Sequence, residues 1–136
     1  MQNILLTGGF GYIGTHIAAL LAEENSEFVI YDNFINCKNT IINKMNKLTG
    51  KKIKYVSGDI RDKTKLVKII KENNISSVIH LAALKSVEES IISPLEYYDV
   101  NVNGTISLLK AMQFTRVKNL LFSSSATIYG EPKYLP

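Results

Sequence analysis

Gly8, Gly11 and Gly14 recur at every third position of Thr7-Gly8-Gly9-Phe10-Gly11-Tyr12-Ile13-Gly14, directly after the apolar run Ile4-Leu5-Leu6. Read from Gly9, the same stretch is G-x-G-x-x-G. At a strand-to-helix turn, such glycines let backbone N–H groups approach a pyrophosphate at a helix N-terminus, where the dipole favours negative charge. A Cβ there would stand in the ligand's place. The pattern alone also suits a tight structural turn, so the second signal matters. Asp32 lies about 18 residues past Gly14, at the end of the next apolar run. A carboxylate there accepts hydrogen bonds from an adenosine ribose and repels a 2′-phosphate, which predicts NAD rather than NADP.

These residues need a strand, a turn and a helix in that order, and the chain supplies the alternation. Short aliphatic runs occur at Asn3–Thr7, Glu27–Tyr31, Ile53–Ser57, Ser77–His80 and Leu120–Ser123. Each is too short for a helix and apolar enough for a buried strand. Between them, helical spacing links Ile13, Ile17, Leu20 and Leu21; Ile41, Ile42, Met45 and Leu48; Leu66, Val67, Ile69 and Ile70; and Ile106, Leu109 and Met112. The last helix carries a start signal at Ser93-Pro94-Leu95-Glu96, with an N-cap serine, proline at the first helical position and the glutamate of a capping box. Alternating βα units predict an α/β fold, a doubly wound parallel sheet of Rossmann type with helices on both faces. No repeat, low-complexity stretch or linker interrupts it, so residues 1–136 read as one domain.

Composition agrees. With 46% apolar and 21% charged residues in 136, the balance is that of a core-forming chain. No apolar run approaches the roughly 18 residues of a membrane span, and Met1-Gln2-Asn3 lacks the basic region of a signal peptide. The single cysteine, Cys37, cannot form an internal disulfide, which fits a reducing, cytoplasmic setting. The net charge of +4 comes from scattered lysines, densest at Lys51-Lys52-Ile53-Lys54 and without interleaved aromatics, which argues against nucleic acid as a partner. His16 and His80 have no metal-ligand companions at usable spacing and read as structural; no metal is expected.

Beyond these features, T-G-G-F-G-Y-I-G, D-N-F-I-N, G-D-I-R-D, H-L-A-A-L-K, P-L-E-Y-Y-D-V-N-V-N-G-T and F-S-S-S-A-T-I-Y-G resemble successive motifs of the extended short-chain dehydrogenase/reductases, most closely the UDP-glucose 4-epimerase family. The resemblance runs from Asn3 to about Pro136. It implies a bound NAD along the carboxyl edge of the sheet and a UDP-sugar substrate, epimerised by C4 oxidation, rotation of the 4-keto sugar and re-reduction. It also implies a homodimer built from paired helices.

The same resemblance implies residue roles. Backbone around Gly8, Gly11, Tyr12, Ile13 and Gly14 would hold the pyrophosphate, and Asp32, Asn33, Asn36 and Cys37 would surround the adenosine ribose. Asp59 and Ile60 would border adenine. Leu81, Ala82 and Lys85 would line the path toward the nicotinamide, with Asn101 as a further cofactor residue. Several have plainer alternatives: Asp59 as a turn former before a helix begun at Asp62-Lys63, Lys85 as a solvated lysine, Asn101 as a ligand of backbone only. Ser125 is the expected catalytic residue, hydrogen-bonded to the reacting sugar hydroxyl. Related 4,6-dehydratases carry an Asp-Glu pair where this chain has Ala126 and Thr127, so water elimination is not expected.

In this superfamily a tyrosine acts as base beside a lysine four residues on. Tyr129 and Lys133 have that spacing, but Gly130 and Pro132 oppose the helix that would align them. The resemblance puts the true pair, the last strand and the substrate domain beyond Pro136, and the 136 residues alone are expected to be inactive. Two other readings stay open: a stand-alone dinucleotide-binding module, and an epimerase of another UDP-sugar.

Overall fold

The computed structural model describes residues 3–38, 40–130 and Tyr134. In chain order it runs β1 (Asn3–Thr7), α1 (Tyr12–Glu23), β2 (Glu27–Asp32), α2 (Thr40–Thr49), β3 (Tyr55–Ser57), α3 (Lys63–Glu72), β4 (Ser77–His80), α4 (Val87–Ile92), α5 (Pro94–Tyr98), a π-helical segment (Asp99–Asn103), α6 (Gly104–Thr115), β5 (Asn119–Phe122) and a 3-10 turn (Ala126–Tyr129).

Successive side chains of a strand point to opposite faces, and the central strand shows the result. Leu5 lies opposite Val29 and Val78, while Leu6 lies opposite Ile30 and Ile79. Leu5, Val29 and Val78 bury under α3 and α6, through Leu66, Ile69, Leu108 and Met112. Leu6 and Ile30 bury on the other face under α1 and α2, through Ala18, Ala22 and Met45. Leu5 and Leu6 are fully buried, each contributing about 1.5–3 kcal/mol of burial. The sheet order is β3-β2-β1-β4-β5 with every pairing parallel, the doubly wound arrangement expected. The chain turns from one side of the sheet to the other between β3 and β4, so the loops after β1 and β4 open a crevice at the carboxyl edge.

Several local expectations are corrected. The third strand begins at Tyr55, not Ile53; Ile53 leaves the sheet, buries its side chain and donates its N–H to Asn46 Oδ1 at 2.8 Å. β5 is not a buried strand: all four residues are exposed, because among the described elements it pairs with β4 alone and forms the edge. Ile13, Leu20, Ile106 and Leu109 are also exposed. What α1 buries is Gly14, Ala18 and Ala22, small residues that let the helix approach the sheet closely. Lastly, the stretch from Pro94 to Met112 is helical but not uniform, since five π residues separate α5 from α6.

Pro94 sits in the first turn as expected, but Ser93 caps nothing with its side chain. The S-x-x-E pattern that does cap is Ser86 to Glu89, where Ser86 Oγ accepts the Glu89 N–H and opens α4. The helix expected from Asp62-Lys63 is α3, and Asp62 caps it by accepting from the Lys65 N–H at 2.9 Å.

Candidate functional site

The glycine loop packs first against the protein itself. Gly8 has φ +68°, and a Cβ on it would meet the Ala82 nitrogen at 2.7 Å. A Cβ on Gly9 would meet Ile30, and one on Gly14 would lie 2.6 Å from the Gly9 Cα. Gly11 is different: its nearest neighbour would be the Gly8 carbonyl oxygen, at 3.3 Å. Three of the four glycines are therefore small because protein approaches them, and Gly11 alone leaves space on the open side. Gly11 is also the N-cap of α1 and offers no side chain, so the N–H groups of the first turn, including Tyr12, Ile13 and Gly14, face outward. That is the cradle an anionic group needs.

Asp32 closes the cradle. Its Oδ2 accepts the Phe10 N–H at 2.9 Å and its Oδ1 accepts the Phe34 N–H at 2.8 Å, tying the loop after β2 to the glycine loop. Each carboxylate oxygen keeps a lone pair for a further donor. Phe34 has φ +62°, a conformation costly for a bulky residue. It is held by that Asp32 bond and by packing against Phe10 and Tyr55, at ring separations of 5.1 and 5.9 Å. Asn33 and Asn36 are exposed beside Asp32, and Asn33 Oδ1 accepts the Ile35 N–H at 3.2 Å. Burial and then the Asp32 charge push the Cys37 thiol pKa up, so Cys37 is a neutral wall of the site. A cleft of about 330 Å³ lies here, bounded by Gly11, Tyr12, Asn36 and Cys37.

The loop after β3 is fixed by different means. Tyr31 donates its hydroxyl to the Asp59 carbonyl at 2.7 Å. Arg61 grips the Asp59 carboxylate through Nε at 2.8 Å and Nη2 at 2.6 Å, and reaches Asp99 of the π segment through Nη1 at 2.6 Å. That fork holds the Asp59 carboxyl below the usual carboxylate range. Ile60 is buried in the α3–α6 core, so what it can offer a ligand is backbone.

After β4, Leu81 donates its N–H to the Thr7 carbonyl at 3.1 Å, and the Leu81–Ala82 backbone rests against Gly8. Asn101 spends its amide on Leu84, accepting the N–H at 2.8 Å and donating to the carbonyl at 2.9 Å. The plainer reading of Asn101 is the observed one: it binds backbone and holds the loop. Lys85 is exposed on that loop.

Ser125 is exposed beyond β5 and caps the 3-10 turn, its Oγ accepting the Thr127 N–H at 3.2 Å and lying 2.7 Å from Thr127 Oγ1. Tyr129 ends that turn because Gly130 takes φ +73°. Lys133, with Pro132, lies outside the described residues. The glycine loop, Asp32, Asp59 and the 81–85 loop thus share the carboxyl edge, one behind each of the first four strands. Sequence reasoning missed the residues that hold them there: Arg61, Phe34, Tyr31 and Thr7. Thr7, Phe34 and Arg61 stand inside the motifs T-G-G-F-G-Y-I-G, D-N-F-I-N and G-D-I-R-D, whereas Tyr31 carried no such signal.

Among the described residues no three His, Cys, Asp or Glu side chains converge as a metal centre. No described helix is long and apolar enough to cross a membrane.

Comparison with known proteins adds the relatives. The family profile described as GDP-mannose 4,6 dehydratase matches residues 5–136. A UDP-glucose 4-epimerase of Klebsiella pneumoniae is 46% identical over 135 residues, covering 99% of this chain and 97% of that protein. One of Yersinia enterocolitica is 47% identical, covering 99% of this chain but 40% of that protein. A solved UDP-glucose-4-epimerase from Stenotrophomonas maltophila, with bound NAD and formylated UDP-arabinopyranose, superposes with a TM-score of 0.95 at 42% identity. It is matched over 100% of this chain and 40% of its own, so this chain spans about two fifths of the length of both longer relatives.

Proposed function

Because the chain belongs to the UDP-glucose 4-epimerase family, we propose that residues 1–136 form the NAD-binding part of a cytoplasmic, homodimeric enzyme that interconverts UDP-glucose and UDP-galactose. One observation carries the reading: open space at Gly11, beside uncapped N–H groups of α1 and across from Asp32. A pyrophosphate fits the first and a ribose diol fits the spare lone pairs of the second, so the residues present suit the dinucleotide.

When bound, NAD supplies the hydride acceptor and donor that C4 epimerisation requires. The chain's own residues do the holding. Gly8 and Gly11 through Gly14 carry the pyrophosphate; Asp32, Asn33, Asn36 and Cys37 wall the ribose. Asp59, with the Ile60 backbone, borders adenine, and Leu81, Ala82 and Lys85 flank the nicotinamide end, kept in place by Asn101. Ser125 orients the reacting sugar hydroxyl. The pyranose itself is held largely by residues outside 1–136. Water elimination is not proposed, since residues 126 and 127 are Ala and Thr and supply no acid. For the dimer, the supporting observation is an exposed apolar row at helical spacing: Leu95, Tyr98, Val102, Ile106 and Leu109.

The test has two parts. Calorimetric titration should find NAD binding by residues 1–136; its absence overturns the reading. Assay of the whole protein with UDP-galactose should find turnover that Ser125→Ala lowers by about 10²- to 10⁴-fold, the usual worth of proton-transfer catalysis. NAD binding with no turnover would leave the dinucleotide-binding module as the correct description.

A further inference from the structure

His80 ends β4 on the sheet face that looks toward α6 and is 2% exposed, between two hydroxyls. Its Nδ1 lies 2.7 Å from Thr7 Oγ1 and its Nε2 lies 3.0 Å from Thr105 Oγ1. Which nitrogen carries the proton follows from the far end. Thr105 Oγ1 is 2.6 Å from the Asn101 carbonyl, which can only accept, so the single hydroxyl hydrogen of Thr105 is spent there. Thr105 must then accept from His80, which makes Nε2 the protonated nitrogen. Nδ1 is left bare, and Thr7 must donate to it. Thr7 Oγ1 keeps lone pairs on the side where the Ala82 N–H approaches at 3.5 Å. Each hydroxyl accepts once and donates once, and all the bonds run in the same direction. Burial also keeps the ring neutral, pushing its pKa down to about 4.

We propose that His80 is a positioning residue for the dinucleotide: as the Nε2–H tautomer it sustains a one-way hydrogen-bond series from the Ala82 N–H through Thr7 and Thr105 to the Asn101 carbonyl, and so sets how the Leu81–Ala82 backbone lies against Gly8. The consequence for the cofactor rests on the reading above that this loop flanks it. The series joins β1, β4 and the π segment to the same short loop that Asn101 grips at Leu84, so the loop is held at both ends. The Thr105 hydroxyl reaches back four residues to the Asn101 carbonyl, as helical threonines do, and that bond is what commits the tautomer.

The experiment uses the native chain labelled with ¹⁵N-histidine, whose two histidines are distinguished by a His80→Gln variant. Nitrogen spectra should show His80 protonated at Nε2 and bare at Nδ1; an Nδ1–H tautomer overturns the series. NAD titration of Thr105→Val and Thr105→Ser supplies the second arm. Thr105 sits on α6 behind the sheet, yet its valine form should bind NAD roughly fivefold more weakly, the worth of about one net hydrogen bond, while serine, which keeps the hydroxyl, restores binding. Equal binding by native, valine and serine forms would reduce the series to ordinary core structure. Should Thr105→Val fail to fold, the native spectrum still decides. Absence of NAD binding in the native chain would instead count against the cofactor reading, whatever the tautomer.

Discussion

Asn101 holds Leu84 by both of its backbone groups, a two-bond clamp between the π segment and the loop behind β4. Ser76 holds Asn3 and Thr49 holds Lys51 in the same two-sided way, but through one hydroxyl and at 3.2–3.4 Å, longer than the Asn101 pair. Asn101→Ala strips two half-buried groups of their partners, at a cost of about 1–3 kcal/mol. Urea unfolding should show that loss, and NAD titration should show weakened binding in the fraction that remains folded.

Gly11 and Gly14 should separate binding from folding. Gly11→Val meets one carbonyl oxygen and open space, so the variant should keep its circular dichroism spectrum and lose NAD binding. Gly14→Ala drives a methyl into the Gly8–Gly9 backbone and should lower the melting temperature before binding is even measured. A Gly11→Val form that binds NAD normally would make the loop a turn and nothing more.

Asp32 should set cofactor choice. Calorimetry is expected to find NAD bound at least tenfold tighter than NADP, about 1.4 kcal/mol. Asp32→Asn should narrow that gap and also destabilise the fold, because one amide oxygen cannot accept from both Phe10 and Phe34. Equal binding of the two cofactors by the native chain would remove Asp32 from this role.

His80 makes stability depend on pH. Its folded pKa lies below its unfolded value of 6.5, so the unfolded chain takes up the proton first. The contribution is fully present above about pH 6.5 and is lost as pH falls toward about 4, on the order of 3 kcal/mol in all. The Asp59 carboxylate, held low by Arg61, loses its smaller contribution only below its ordinary range. Urea midpoints measured from pH 8 to pH 3 should therefore fall in two stages, and His80→Gln should remove the upper one.

The parts of this site that sequence reveals are those with a short-range cause. A glycine needed at a turn, a carboxylate at a strand end and a cap such as Asp62 are written within a few residues of where they act. Residues whose partners lie far along the chain are not. Thr7 and His80 look like ordinary strand ends until the sheet brings them together, and the Arg61 link to Asp99 spans 38 positions. Burial was the hardest property to read, because apolar spacing marks a helix without saying which face is covered. Ile106 and Leu109 obey the period and still face outward, while Ala111 and Leu108 do the packing. The π segment that carries Asn101 has no mark in residue type at all.

Placing β1 between β2 and β4 has a cost in time. Its first neighbour arrives soon, but Ile4 must wait for Ser77, 73 positions later, before its other edge is paired. At a synthesis rate of about 5–20 residues per second, the ribosome takes roughly 4–15 s to deliver that partner. Through that interval the apolar edge of the most central strand stands open to any other nascent chain. The yield of folded protein should thus depend on how quickly residues 33–76 are translated, and slowing codons there would be expected to raise the aggregated fraction.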